Sequence, residues 1–301
     1  AKNITFGRTQ LIPKPLDPRL IYSVAPAVAR AAMDSGVAKI KIEDWEAYEL
    51  ELKTRLGLDN KLIRNITEKA KRSPKKVVFA EADHYKILKA AQVAFDEGIA
   101  IPILLGKRDK IFKLIDEYKL DFGSCDIIDP REETQEQRRY EFADILFEKR
   151  KRRGLTLYEC RKMMRERNYF ASAMVETGQA DVMISGLTRN YKDTIRPALQ
   201  VIGVDDGVNK IAGMYILITK EGPYFFADTT VNLNPSVDEI VDITLLVNKM
   251  IKRFKIQPKI AMLSYSNFGS TEGKDAVKMR EAVHKLHKDH PQIIVDGEVQ
   301  A

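Results

Sequence analysis

From about residue 60 onward, short apolar runs alternate with longer amphipathic stretches, and this alternation restricts the fold more than any other feature. The runs "KKVVFAEA", "AIPILLG", "CDIIDP", "DVMISG", "KIAMLSYS" and "QIIVDGE" have the length and β-branched content of strands. Helices are predicted between them over 60–72, 84–97, 108–118, 133–153, 156–168, 168–178, 193–202, 236–254 and 274–290. Apolar strands separated by helices predict a mainly parallel sheet covered on both faces, hence an α/β protein. One stretch departs from this pattern: "IAGMYILITKEGPYFFADTT" reads as a hairpin with Glu221-Gly222 at its turn.

The first sixty residues are organised differently. "PRLIYSVAPAVARAAMDSGVA" predicts an Ala-rich helix over 18–38 that stops at Gly36 and is kinked or restarted at Pro26. "KIKIEDWEAYELELKTRLGLDN" reads as a linker helix. The opening "AKNITFGRTQLIPKPLDPRLI" lacks a methionine start and is loop-like, and "IIVDGEVQA" ends just after a strand, so the chain is expected to be part of a longer one.

Composition excludes several function classes. No apolar stretch reaches the roughly 18–20 residues needed to cross a bilayer, and no basic-then-apolar leader is present, so no membrane role is expected. The two cysteines, Cys125 and Cys160, form no motif, which predicts free thiols and a cytoplasmic location. Of the net charge of +7, five units sit in "KRKRR", Lys149 to Arg153, leaving +2 for the rest. One local cluster without zinc-finger spacing or RNA-binding aromatics does not predict a nucleic-acid partner.

Three stretches have the form of a ligand site. In "ADVMISGLTRNYKDTIRPALQ" a strand ends at Ser185-Gly186, and Asp193 or Thr194 is the expected N-cap of a helix. Ligands of open α/β sheets bind beyond the carboxyl ends of strands, and a helix start attracts anions. Arg196 would add positive charge to that end, unless it pairs with a carboxylate such as Asp193. In "FADILFEKRKRRG" helical spacing puts Phe142, Leu146 and Arg150 on one face, so Arg150 is predicted to point inward and to need a carboxylate or an anion. A frayed, solvated end is the alternative. In "KIAMLSYSNFGSTEGKDAVKMREAV" the strand ends at Ser264-Tyr265-Ser266, and the loop Asn267 to Gly273, with Gly269 and Gly273, lets backbone approach a phosphate or pantetheine arm before a helix that begins near Asp275. Asp228 in "FFADTT" is either functional or the cap of the next turn, and the histidines of "HKLHKDH" read as a solvated face instead of a metal site.

"ADVMISGLTRNYKDTIRPALQ", "YFFADTTVNLNPSVDEI", "AMLSYSNFGS" and "IIVDGEVQA" together resemble the phosphate acetyltransferase and butyryltransferase family, in order, across 60–301. "FGRTQLIPKPLDPRLIYSVAPAVARAAMDSGVA" is similar to the closing segment of a bacterial malic enzyme catalytic domain, and the two halves occur joined in large, usually NADP-dependent malic enzymes. The resemblance implies a three-layer α/β/α fold of two subdomains, of the isocitrate/isopropylmalate dehydrogenase type and C-terminally incomplete. It divides the chain into a malic-domain tail (1–42), a linker helix (43–59), subdomain 1 (60–208) and a truncated subdomain 2 (209–301). The family's ligand-contacting arginines fall on Arg150 and Arg196, its Ser-Gly corner on Ser185-Gly186, and its small-residue loop on Ser266 to Ser270.

Two departures stand out. The catalytic Ser-Arg-Gly segment of the acetyltransferases is not within the chain, and Thr188-Arg189 stands where they commonly carry a histidine. The implied function is therefore a regulatory domain of a malic enzyme binding acetyl-CoA or a related phosphorylated effector. The alternatives are an active phosphate acetyltransferase, or an oligomerisation domain with a vestigial cleft. No cofactor is expected on this chain; NADP and Mg or Mn would belong to the malic domain. A homo-oligomer, at least a dimer, is expected.

Overall fold

The computed structural model describes residues 19–55, 61–123, 125–205, 207–219 and 221–301. Its first elements are α1 (Arg19–Asp34), α2 (Trp45–Arg55), α3 (Lys61–Arg72), β1 (Lys75–Phe79), α4 (Tyr85–Asp96), β2 (Ala100–Leu105), α5 (Arg108–Tyr118) and β3 (Asp126–Ile128). Then follow α6 (Glu136–Arg150), α7 (Leu157–Met163), α8 (Arg167–Glu176), β4 (Val182–Ile184) and α9 (Tyr191–Val201). The chain continues through β5 (Met214–Thr219), β6 (Gly222–Ala227), α10 (Val237–Arg253), β7 (Ile260–Leu263), α11 (Lys274–Asp289) and β8 (Val295–Val299). The long helix expected over 133–153 is α6 with a 3-10 turn at each end, Glu133–Gln135 and Lys151–Arg153. α1 runs through Pro26 without a break. The expected helix over 193–202 starts two residues earlier. Residues 1–18, which hold the first part of the malic-type opening segment, lie outside the described residues.

Contacts divide the chain into two compact units. The first is drawn from the described residues before Ile66 together with Ile216–Phe226, and the second from Ile66–Tyr215 and Ala227–Ala301. Within the first, α1 and α2 pack on each other, and Arg30 lies over the Trp45 ring at 4.2 Å. β5 and β6 pair with each other.

The second unit holds a four-stranded sheet in the order β3-β2-β1-β4, with all three pairings parallel. The period-2 geometry of strands sorts its side chains cleanly. Val78, Ala80, Ile103 and Leu105 enter a core with Phe142 and Leu146 of α6 and Phe170 and Met174 of α8. Val77, Phe79 and Leu104 enter a second core with Leu88 and Ala91 of α4 and Ile111 of α5. Burial on both faces explains why these strands read as apolar runs without alternation. The same unit contains the parallel pair β7–β8, covered by Ile240 and Val241 of α10 and by Ala282, Val283 and Leu286 of α11. β8 fits only because residue 297 is glycine. It has φ +139°, and a Cβ there would stand 2.7 Å from the Met262 carbonyl oxygen. Among the described residues no helix is long and apolar enough to cross a membrane.

Candidate functional site

The Ser185-Gly186 corner ends β4, and its conformation requires the glycine, at φ +120°. The loop that follows is organised by a carboxylate from the neighbouring strand. Glu81, two residues beyond β1 and 1% exposed, accepts the Leu187 N–H at 2.8 Å, the Thr188 N–H at 3.2 Å and the Thr188 hydroxyl at 2.9 Å. Arg189 pairs with Glu166 at 3.3 Å. Asn168, 2% exposed, accepts the Ser185 hydroxyl at 2.9 Å through Oδ1.

Asn190 caps α9, in place of the expected Asp193 or Thr194: its side chain accepts the Asp193 N–H at 3.0 Å. Its Nδ2 also donates to Asp193 Oδ2 at 2.7 Å, so the two side chains close the first turn reciprocally. Thr194 instead donates its hydroxyl to the Asn190 carbonyl at 3.1 Å. With the cap moved back, Pro197 stands in the second turn, where a proline removes an i→i−4 hydrogen bond. The acceptor left over is the Asp193 carbonyl, and Asn168 Nδ2 donates to it at 3.4 Å. Asn168 thus ties the end of β4 to the start of α9, a role that nothing in its local sequence announced.

Arg150 points inward, as its helical spacing predicted, and its hydrogen-bond partners among the described residues are main-chain carbonyls. Nε donates to the Gln200 carbonyl at 2.8 Å and Nη2 to the Leu199 carbonyl, capping the last turn of α9. Lys149 joins it, donating to the Val201 carbonyl at 2.7 Å and pairing with Glu176. The free carbonyls and negative end of a helix dipole are a natural partner for cations. Burial, and after it the adjacent Arg153, lower the Arg150 pKa. Arg150→Ala is expected to cost about 1–2 kcal/mol of stability in chemical denaturation, from the lost charged hydrogen bonds and dipole interaction.

Arg196 is exposed on the same helix, and no ion pair among the described residues includes it. Arg196 and Arg150 converge electrostatically on one side chain, Tyr169. Burial raises the pKa of that phenol, while the two guanidinium groups oppose the rise. The Tyr169 hydroxyl donates to Gln200 Oε1 at 2.5 Å. Arg150 and Arg196 therefore share a neighbourhood along α9, with Arg150 engaged and Arg196 open.

The second loop repeats the device of the first. Glu298 of β8, fully buried, reaches the loop after the parallel strand β7. It accepts the Ser266 hydroxyl at 3.0 Å and the Gly269 N–H at 2.7 Å, and is held by Arg280 Nε and Nη2, each at 3.1 Å. Arg280 above all, and then the Gly269 N–H, hold its pKa down at about 2. Ser266 is fully buried and its oxygen also accepts the Thr271 N–H at 3.1 Å, so this hydroxyl faces the protein. Ser270, 3.1 Å from Ser266 Oγ, and Gly269 are exposed, and Ser264 accepts the Ser266 N–H at 3.3 Å.

Asp228 takes the turn-capping alternative. It accepts the N–H groups of Gly213 at 2.7 Å and Asn232 at 2.6 Å. Partial burial raises its pKa, but these bonds outweigh that and leave it lowered. His287 lies on the exposed face of α11 with its Nε2 2.8 Å from the Val295 carbonyl oxygen.

The structure thus forms two groups of expected residues. Ser185, Gly186, Asp193 and Thr194 gather around Asn168, and Ser264, Ser266, Gly269 and Ser270 gather around Glu298. No hydrogen bond or ion pair among the described residues joins the two groups. A concavity of about 460 Å³ lined by Lys76, Asp126, Arg138 and Gln179 lies at the amino ends of the sheet strands, away from both loops. Glu81, Asn168, Glu298 and Arg280 were all missed from the sequence. The available signal was a glutamate interrupting an apolar run, in "VVFAEA" and "IIVDGEV".

Known proteins share the sequence pattern and the fold. The phosphate acetyl/butaryl transferase family model matches residues 61–301. The NADP-dependent malic enzyme of Haemophilus influenzae is 36% identical over 98% of this chain, which spans only 39% of that protein's length. The phosphate acetyltransferase of Clostridium acetobutylicum is 34% identical over 79% of this chain and 73% of its own. A phosphotransacetylase crystal structure from Streptococcus pyogenes superposes with a TM-score of 0.72 at 31% identity, covering 80% of this chain and 72% of that one. With a family model over four-fifths of its length and a parallel α/β core to match, the chain belongs to the phosphate acetyl/butaryl transferase family.

Proposed function

We propose that this chain is the phosphate acetyltransferase-like portion of a malic enzyme, where it binds acetyl-CoA or a related phosphorylated effector and regulates malate decarboxylation. The observation that carries this reading is the extent of similarity. The malic enzyme of Haemophilus influenzae matches 98% of the chain, including residues before 61, whereas the Clostridium acetyltransferase matches 79%. Ligand binding is assigned to the exposed Arg196, the Ser185-Gly186 corner and the outward part of the second loop, Gly269 and Ser270. Arg150 supports this site indirectly, by fixing the end of α9.

NADP and Mg or Mn belong, on this reading, to residues outside this chain. Among the described residues no three His, Cys, Asp or Glu side chains are grouped to hold a metal. Assembly into at least a dimer and a cytoplasmic location complete the proposal.

The second reading, an active phosphate acetyltransferase, is favoured by the match to 73% of the Clostridium enzyme. A coupled assay for acetyl-CoA formation from acetyl phosphate and CoA separates the two. The regulatory reading expects binding of acetyl-CoA without turnover. Arg196→Ala should weaken acetyl-CoA about tenfold or more, the loss of one charge-assisted hydrogen bond to a phosphate or acyl oxygen. Binding unchanged in that variant removes Arg196 from the site.

A further inference from the structure

Arg138 of α6 is a half-buried cation without an anion. Burial lowers its pKa, and the rings of Phe142 and Phe170 stand 5.7 and 5.4 Å from its guanidinium. Its hydrogen bonds go to neutral amide oxygens: Nε and Nη2 donate to Gln179 Oε1, and Nη1 donates to Gln135 Oε1 at a long 3.4 Å. No ion pair among the described residues includes it. A cation drawn out of water needs a negative partner to offset the loss of hydration. Other partly buried arginines of this chain have one, Arg167 in Asp83 and Arg280 in Glu298.

Space for such a partner exists beside it. Arg138 lines the concavity of about 460 Å³ at the amino ends of the strands, a volume within the range of small-molecule pockets. Lys76 of β1 lines it as well, and no ion pair among the described residues includes its ammonium group. The apolar part of the lining comes from Ile103, Ile128 and Met174, of which Ile103 is 4% and Met174 1% exposed. Asp126 is the one carboxylate of the lining, and it acts on the Arg138 charge through space without pairing with it. Two cations less one carboxylate leave the lining with a net charge of +1. One negative charge balances that, whereas a dianion would be repelled more strongly by Asp126. Gln179 occupies the Nε side of the guanidinium, so the fork is held in place with its Nη1–Nη2 edge the less engaged. A planar carboxylate matches that edge in geometry and charge.

We propose that this concavity is a binding site for a small monocarboxylate, its charged end held by Arg138 and Lys76 and its hydrocarbon part against Ile103, Ile128 and Met174. The site is independent of the effector reading. Ligands of open α/β sheets bind beyond the carboxyl ends of the strands, and this concavity lies at the opposite ends.

The test is calorimetric titration of hexanoate, acetate and sulfate into the wild-type chain and into Arg138→Gln, Lys76→Gln, Asp126→Asn and Arg196→Ala. Hexanoate should bind the wild-type chain at least tenfold more tightly than acetate, through its extra methylene groups, and more tightly than sulfate. Arg138→Gln should weaken hexanoate about tenfold or more. Lys76→Gln changes an exposed side chain, so it should keep the melting temperature and still weaken hexanoate severalfold. Asp126→Asn raises the lining to +2 and should tighten sulfate. Arg196→Ala should leave hexanoate binding unchanged. No binding of hexanoate to the wild-type chain, or equal affinity in the wild type and Lys76→Gln, overturns the proposal. Sulfate binding as tightly as hexanoate overturns it too, since charge alone would then be selected. Loss of hexanoate binding in Arg196→Ala would place the carboxylate at the first loop and likewise overturn it. None of these results bears on acetyl-CoA, whose binding is measured separately.

Discussion

Glu81→Ala should destabilise the protein by roughly 3–5 kcal/mol, the largest loss expected from any single side chain in the first loop. The wild-type carboxylate is 1% exposed and accepts two backbone N–H groups and one hydroxyl from Leu187 and Thr188. Truncation leaves these donors facing a cavity, and each buried unmatched donor costs about 1–3 kcal/mol. Glu81→Gln should lose less, because the amide oxygen still accepts, although its NH2 group then faces donors. The effect should also be local. Hydrogen exchange at Leu187 and Thr188 should accelerate before the sheet opens, since Phe79 and Ile184 are paired through a separate set of bonds. Denaturant melts with exchange detected by mass spectrometry would check both statements, and a loss below 1 kcal/mol would mean that water replaces the carboxylate at this loop.

The second loop should respond to pH. Glu298 is held at about 2 by Arg280 and the Gly269 N–H, well below the ordinary 4.5 that it regains on unfolding. A depressed carboxyl pKa adds stability that is fully present above about pH 4.5 and is lost as the pH falls toward about 2. In Glu298→Gln that contribution is absent at every pH. The wild-type chain should therefore be clearly more stable than Glu298→Gln at pH 7, and the two should converge between about pH 4.5 and 2. Stability of each by urea titration at a series of pH values gives the comparison. Parallel curves over that range would show that Glu298 is not ionised in the folded chain.

Both predictions express one structural device. In each case a glutamate at or just beyond the end of one parallel strand enters the loop that follows its neighbour, and the loop's inward donors are satisfied by the protein itself. In the second loop even the N–H groups of Gly269 and Ser270 are taken, by the Glu298 carboxylate and the Asn267 carbonyl. Ser266 is buried against Glu298, whereas Gly269 and Ser270 remain exposed. Of the basic side chains at the first loop, Arg189 is paired with Glu166, whereas no ion pair among the described residues includes Arg196.

The sequence carried most of the scaffold and little of this wiring. The helix over 108–118 is found with those bounds, because its apolar period and flanking breakers are local. The strand alternation was readable because burial on both faces leaves no polar positions within a run. The start of α9 was misplaced by preferring Asp193 and Thr194, although Asn190 and Asp193 have the three-residue spacing of reciprocal caps. Arg150 shows the limit most clearly. Its inward orientation follows from spacing along α6, but its partners lie about fifty residues later in the chain and are main-chain carbonyls. No side-chain pattern announces a carbonyl. Glu81 and Glu298 act over 106 and 29 positions respectively, distances at which a single sequence gives no pairing.

The most direct test of the account is titration of acetyl-CoA into this chain and into Arg196→Ala, followed by heat. The account predicts saturable binding at one site per chain, weakened about tenfold or more when the guanidinium on α9 is removed. Absence of heat with the unaltered chain, or the same affinity in both, would contradict it.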